Sequence, residues 1–491
     1  MYTCRQIAAE MHGLAFRQHI ITFTTIYSEQ LRARAGRWHF LLTDRIATGM
    51  FSRTAAVTDA AIQRMKDNMA EEIAQQLVGH PFSAFFSRVR AGDLTGSLRA
   101  AESNWGEAPS VRREMLRRIL NLAITDPDLY EYFATKHWQS SEEHGAAPKP
   151  RYDPALLFDH DKEPWRIPTE EELDQLAAEM PYRIQHSNRP DRYPPSSLLK
   201  TQQFWKSDWQ KYRFSAAAAA VAFLGSLPPG SRQHLRNLVV HEDRLSVAYP
   251  ECHAQGLAPF CRENPDLRIE RRVSLWRCLL LRHLTPRDSK PSVRYYDRGF
   301  PSDGMADVVS EWMAEASLDS IPDAITLVLD ASPTPDRATE IFQNVIHVDL
   351  GWRLVYDRIC VPGIASEKEI FWKRREHLYL QAGFPDIMRA LRESDPSLRV
   401  RCNFDTGMLW NETQITELAD KRWDLPTSNP PVQVHSRRRL DWVLKKIMYL
   451  LDRPRYDTVF PLPRVYELME ENILREPSHE EAENDPLVNS L

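Results

Sequence analysis

Residues 144–195 hold nine prolines: Pro148, Pro150 and Pro154, then Pro164 and Pro168, then Pro181, Pro190, Pro194 and Pro195. Each proline fixes its own φ and removes a backbone donor. Each also pushes the preceding residue out of the helical region. No long helix or strand can cross such a segment, so it divides the chain. Its one good helix start is Thr169-Glu170-Glu171-Glu172-Leu173, which places carboxylates where the helix dipole favours them. Trp165 offers an aromatic anchor in an otherwise extended connector.

The flanks read differently. Before the connector the pattern is mostly helical. Cys4, Ile7, Met11 and Leu14 recur at spacings of three and four and share one helical face. Residues 20–27 are β-branched and aromatic and predict a strand. Asp59 caps a predicted helix with Ile62, Met65, Met69, Ile73 and Leu77 on one stripe. Ser110 caps another that carries Val111, Met115, Ile119 and Leu122 and stops at Asp126-Pro127. After the connector, strand and helix signals alternate. The alanine-rich run 216–224 predicts a tightly packed buried helix. Strands are expected at 235–240 and 245–249, joined by a tight turn at Glu242-Asp243. A helix is expected over 252–262, extended chain over 267–276, and a strand with one buried face at Ile325, Leu327 and Leu329. A helix at 367–382, another opened by Pro385, and a strand at 398–404 follow. No fixed period of 20–50 residues is visible, so a regular solenoid stays open but unproven from the sequence.

The expected architecture is a mixed α+β or α/β fold. It divides into a helical N-terminal unit (1–143), the connector (144–203), a layered α/β body (204–425), C-terminal helices (426–474) and an acidic disordered tail (475–491). The first unit and the body are expected to pack separately.

Charge and composition narrow the functional classes. Lys+Arg number 63 against 68 Asp+Glu, a net charge of −5, so no overall basic field draws the chain onto nucleic acid. The run 216–224 is far short of the ~20 apolar residues that span a bilayer. Arg5 and Glu10 interrupt the start where a signal peptide would be apolar. Six scattered cysteines do not read as a secreted disulfide framework. A soluble cytoplasmic or nuclear protein with reduced thiols is expected, with no membrane partner.

Motifs for phosphate loops, dinucleotide sites, zinc proteases and nucleophile elbows are absent from the sequence. The densest set of reactive side chains is His241-Glu242-Asp243, followed by Cys252-His253 and Cys261. Zinc needs paired ligands at short spacing. Cys252 and Cys261 are nine residues apart, so on one helix their side chains point about 180° apart. Asp159-His160-Asp161 falls in the connector, and Asp349 and Asp357 flank Trp352 and Tyr356 without defining a site. No catalytic, cofactor or metal residue is assigned. A basic cluster, Arg437-Arg438-Arg439 with Lys445-Lys446, Arg453 and Arg455, reads either as an import or phosphate-binding patch or as a solvated helix face. On the second reading Leu440, Val443, Leu444, Ile447 and Leu451 form its buried side; an intramolecular alternative is that the acidic tail partly neutralises the patch.

Two stretches carry a resemblance. Thr3-Cys4-Arg5-Gln6-Ile7-Ala8-Ala9-Glu10, followed by Phe16 and Ile21-Thr22-Phe23, is similar to a recurring segment of filamentous-fungal F-box-like proteins. Leu235-Arg236-Asn237-Leu238, Pro250-Glu251-Cys252-His253 and Asn264-Pro265 resemble the body of large fungal proteins of the same type. The resemblance implies binding rather than chemistry, namely a non-enzymatic protein–protein interaction protein, a degenerate or truncated F-box-like adaptor. The Leu-Pro-rich docking segment of F-box modules does not precede Cys4 here. The linker subunit of a ubiquitin ligase is therefore a partner only where an upstream segment supplies that module. The alternative is an enzyme with a pocket in the body near His241, Asp243 or Cys252. Convergence of those three side chains in a deep pocket would favour the enzyme, and an exposed apolar patch on the body would favour the interaction protein.

Overall fold

The computed structural model describes residues 13–44, scattered positions between 108 and 131, residues 162–178, 211–281, 305–351 apart from 348, 383–408, and Glu471. The helices expected on Cys4–Met11, after Asp59, over 367–382 and in the basic cluster, with the acidic tail, lie outside the described residues.

In chain order the elements are α1 (Leu14–Gln18), β1 (Ile20–Thr24), α2 (Glu29–Asp44), α3 (Glu170–Ala178) and α4 (Ala216–Ser226). Next come β2 (Asn237–Glu242), a 3₁₀ turn (Pro250–His253), α5 (Ala254–Glu263), β3 (Arg268–Ser274) and a widened helical turn (Leu275–Leu279). The last are α6 (Met305–Ala316), β4 (Ile325–Asp330), α7 (Pro335–Ile341), α8 (Phe384–Arg392) and β5 (Val400–Cys402). The strands form one five-stranded sheet in the order β1-β2-β3-β4-β5, every pair parallel. The chain is thus a mixed α/β protein built on a parallel sheet.

Register explains how the sheet divides into two faces. Leu238, Ile269 and Ile325 stand in one row; Val240, Arg271, Leu327 and Val400 in the next; Glu242, Val273 and Leu329 in a third. All ten are buried, against α4, α5 and α6. Successive strand residues point to opposite faces, so the intervening rows face the other way. Asn237 and Arg268 there are exposed, Val239, Glu270 and Thr326 half-buried, and His241, Arg272, Val328 and Arg401 form a third row of half-buried and exposed side chains. All-parallel sheets ordinarily have both faces covered. Here, among the described residues, the helices lie over one face.

The offset between paired residues is 31 from β2 to β3, 56 from β3 to β4 and 73 from β4 to β5. Unequal offsets exclude a regular repeat.

Several local expectations hold. Thr169 and Glu172 form a reciprocal capping box at α3: the Glu172 amide donates to Thr169 Oγ1 (3.2 Å) and the Thr169 amide to Glu172 Oε2 (2.9 Å). In α4, Ala216, Ala217, Ala218 and Ala220 are buried. Their small side chains let the helix lie close on β1 and β2, where Phe223 meets Phe23 at 5.4 Å between ring centres. Pro385 opens α8 at its first turn.

Others need correction. Residues 243–249 form no strand and no hairpin, because β2 runs through Glu242 and pairs in parallel with β3. Ser110 gives its amide (2.6 Å) and hydroxyl (2.7 Å) to the buried carboxylate of Glu315 on α6. The boundary drawn around the connector does not separate the described residues into two packed units. Strand β1 sits at the edge of the body's sheet, its Ile20 opposite Asn237. Arg37 on α2 binds Glu170 (2.7 Å) and Asp174 (2.6 Å) on α3, and Trp38 donates to the Pro164 carbonyl (3.2 Å). Trp38, Leu41, Leu173, Phe214 and Ala218 share one core cluster. Proline punctuation marks where elements stop, but pairing across it is decided by apolar burial.

Trp165 of the connector packs against Gly256 of α5, where a Cβ would stand 2.3 Å from Trp165 Cδ1. Gly256→Ala should therefore destabilise the fold by about 1–3 kcal/mol, the usual cost of overpacking. A urea unfolding curve with an unchanged midpoint would refute this contact.

Candidate functional site

The residues singled out in the sequence go to three separate environments. The alternation of β2 turns Glu242 to the face beneath the described helices and His241 to the opposite one. Asp243 lies just past the strand, where Oδ1 accepts from the Thr25 amide (3.1 Å) and hydroxyl (2.7 Å). Cys252 is buried in the 3₁₀ turn and donates to the Tyr249 carbonyl (3.1 Å). Burial, and then the charges of Glu315 and Glu251, push its thiol well above the usual range. Cys261 on α5 is pushed up to about 12 by burial. His241, Asp243 and Cys252 do not converge. Among the described residues no group of three metal-type side chains gathers.

What the sheet does assemble, beneath α4, is a buried polar network. Glu242 accepts from the Ala216 amide (2.8 Å) and Ala217 amide (3.3 Å), the first free N–H groups of α4. Its Oε1 also pairs with Arg271 Nη2 at 3.0 Å, both side chains almost fully buried. Arg271 donates further to the carbonyls of Glu251 (2.9 Å) and Pro250, and its guanidinium lies 4.5 Å above the Trp312 ring. Ser215, the α4 N-cap, accepts from Ala218 N (2.9 Å) and is 2.6 Å from His253 Nδ1. His253 Nε2 faces the Ala248 carbonyl at 2.6 Å. A carbonyl can only accept, so Nε2 carries the proton and Nδ1 accepts from the serine hydroxyl.

A serine against a histidine is the arrangement of an activated nucleophile. Here both are sealed: Ser215 is 0% and His253 1% exposed. The adjoining cavity, lined by Ala254, Arg271, Trp312, Ala316, Ile321, Ile325 and Leu327, has a volume of about 10 Å³. That is room for at most one water. The network's chemistry is structural: it ends a helix, joins two strands and holds a turn.

A second constellation lies at the carboxyl ends of β2 and β3, the edge where open parallel sheets ordinarily present their ligand sites. Arg244 follows β2, and Arg277 follows β3 in a turn capped by Ser274, whose hydroxyl accepts from the Arg277 amide (3.1 Å). Arg213 precedes α4, its guanidinium 5.2 Å from the centre of the Tyr27 ring. All three reach Glu471. Arg277 Nη2 is 3.2 Å from Oε1, Arg244 Nε 3.1 Å from Oε2, and Arg213 Nη2 donates to the Glu471 main-chain carbonyl at 2.7 Å. Sequence reasoning passed over these arginines because they are isolated in the chain and meet only in the fold.

Two outcomes follow from the buried network. Glu242→Ala leaves Arg271 charged and unpaired in the interior, and chemical denaturation should show a loss of about 3–5 kcal/mol, as for other broken buried pairs. A loss under 1 kcal/mol would mean that the pair is open to water. His253 is held down to about 3, first by burial and then by the Arg271 charge. The unfolded chain takes up this proton near the ordinary value of about 6.5 and the folded chain does not, so stability falls as pH drops from 6.5 toward 3. His253→Gln should flatten that limb, so the stability gap between wild type and variant narrows as pH is lowered from 7 to 4. A constant gap across urea titrations would refute the assignment.

No protein-family model matches this chain, and no curated protein and no solved structure matches it either.

Proposed function

We propose that this protein is a non-enzymatic interaction protein, whose α/β body presents a surface to another protein in the manner of the F-box-like adaptors its sequence resembles. The observation that supports this reading best is the face of the parallel sheet over which no described helix lies. Parallel strands ordinarily lose both faces to helices, and in stacked-repeat folds a sheet surface left open is the binding surface. Here it carries side chains suited to a polar partner. Arg272 pairs with Glu270 along β3, Asp330 accepts from Asn403 Nδ2 (2.7 Å), and exposed Arg401 stands in the same row as His241 and Arg272.

The expected apolar patch is not what supports the reading. Among the described residues the exposed large apolar side chains are Ile20 and Met408, and they do not make a patch. A mixed-charge face fits a non-obligate interface, which is about as polar as ordinary protein surface. The charges alternate in sign, which is a poor match to a uniform phosphate backbone. No described helix is long and apolar enough to cross a membrane. Among the described cysteines, Cys252, Cys261, Cys278 and Cys402 are free thiols, in keeping with a cytoplasmic or nuclear setting. A ubiquitin-ligase linker subunit joins the partners only if an upstream docking segment exists.

Affinity capture of the tagged full chain, read by mass spectrometry, tests the proposal. Glu270→Arg with Arg401→Glu should reduce recovery of the captured protein at least tenfold, whereas Arg389→Glu on α8 should leave it unchanged. Equal recovery with all three proteins would overturn the sheet face as the binding surface.

A further inference from the structure

The geometry points to a second element of recognition: the cradle of Arg213, Arg244 and Arg277 is a docking site for an acidic peptide segment, and the chain's own Glu471 is its resident occupant. The inference rests on the interaction reading above and names a site and a ligand chemistry for it.

The cradle recognises two chemical features at once. Arg244 and Arg277 take the two oxygens of one carboxylate, while Arg213 takes a main-chain carbonyl of the same residue. A free carboxylate would satisfy the first pair, but only a glutamate within a peptide supplies both. The three arginines come from three separate parts of the chain, and Glu471 is 258 residues from Arg213 and 194 from Arg277. No local turn forces the contact.

Two further observations make the occupant exchangeable. The side chains of Arg244, Arg277 and Glu471 retain 25%, 41% and 34% exposure, so solvent screens the Arg277 pair, while Glu471 Oε2, 3.1 Å from Arg244 Nε, is itself shut off from solvent and makes no hydrogen bond. Arg213, by contrast, is 7% exposed. Burial and the neighbouring Arg244 charge lower its pKa, which marks a site where cations crowd and an anion relieves the crowding. Asp243 partly balances Arg244, with Oδ2 3.4 Å from Nη1, but its other oxygen is committed to Thr25. A partner's acidic segment with a glutamate on accessible main chain therefore meets a preformed site and displaces a loosely held internal ligand. The flanking sequence of the resident, with Glu467 and Glu470 beside Glu471, has the same character.

The test uses the full chain and a fluorescent peptide copying residues 464–475. Wild type should bind the peptide weakly, because the site is filled internally. Glu471→Lys, or the milder Glu471→Gln should the first not fold, should bind it at least tenfold more tightly. Adding Arg244→Glu and Arg277→Glu should abolish the gain, and a peptide with glutamine in place of its 471-equivalent glutamate should not bind. Thermal melts of each variant report folding. No gain on releasing Glu471, or a gain that survives loss of both arginines, overturns the cradle. If a captured protein partner is lost with the sheet-face variants yet fully retained by Arg244→Glu with Arg277→Glu, the cradle fails and the interaction reading stands. Peptide binding as expected, with no protein captured, supports the cradle while removing the larger reading.

Discussion

The carboxylate of Glu242 is the point on which the layered body depends. A charged group under a helix layer is costly to bury unless every lone pair finds a donor. Glu242 finds them in the first amides of α4 and in Arg271, so one side chain ends β2, caps a helix and ties β2 to β3. Arg271 then carries the constraint outward, to the carbonyls of the 3₁₀ turn and to the face of Trp312 on α6. Apolar packing alone would allow α4 to slide along its alanine stripe. A carboxylate aimed at the amides of Ala216 and Ala217 fixes where that helix begins.

The parts of this fold that could be read in the sequence are those with local causes. The alternation in β4, the Thr169–Glu172 box, the buried alanine helix and Pro385 at a first turn each follow from a few adjacent residues. Neighbours in a parallel sheet leave no such trace, because the crossover between them can be of any length. The hairpin expected at Glu242-Asp243 came from treating two polar residues as a turn, when one of them was the buried end of a strand. A faint signal did exist. Ile269, Arg271 and Val273 share a face, and a lone arginine in an apolar row implies a buried counter-charge. The arginine cradle left no sequence signal, since Arg213, Arg244 and Arg277 belong to three separate elements.

On the interaction reading proposed above, the two surfaces would ask different things of a partner. The side chains of the sheet face are placed by strand register and carry pairs such as Glu270 with Arg272. The edge of β2 and β3 is a point of charge, gripping one residue. Side chains placed in advance lower the ordering cost of association, and a focused charge raises the rate of productive encounter and sets the register.

The place of β1 at the edge of the sheet has a consequence for how the protein is made. Its Ile20 pairs with Asn237, so the strand leaves the ribosome long before its neighbour exists. At translation rates of about 5–20 residues per second, the intervening chain takes about 10–40 s to appear. During that interval the backbone groups of Ile20–Thr24 have no sheet to join, and Phe23 lacks the helix that will cover it. Pairings so distant in sequence are slow to close. The nascent chain thus carries an unpaired β-segment while every residue between Thr24 and Asn237 is made, a window in which that segment is open to mispairing.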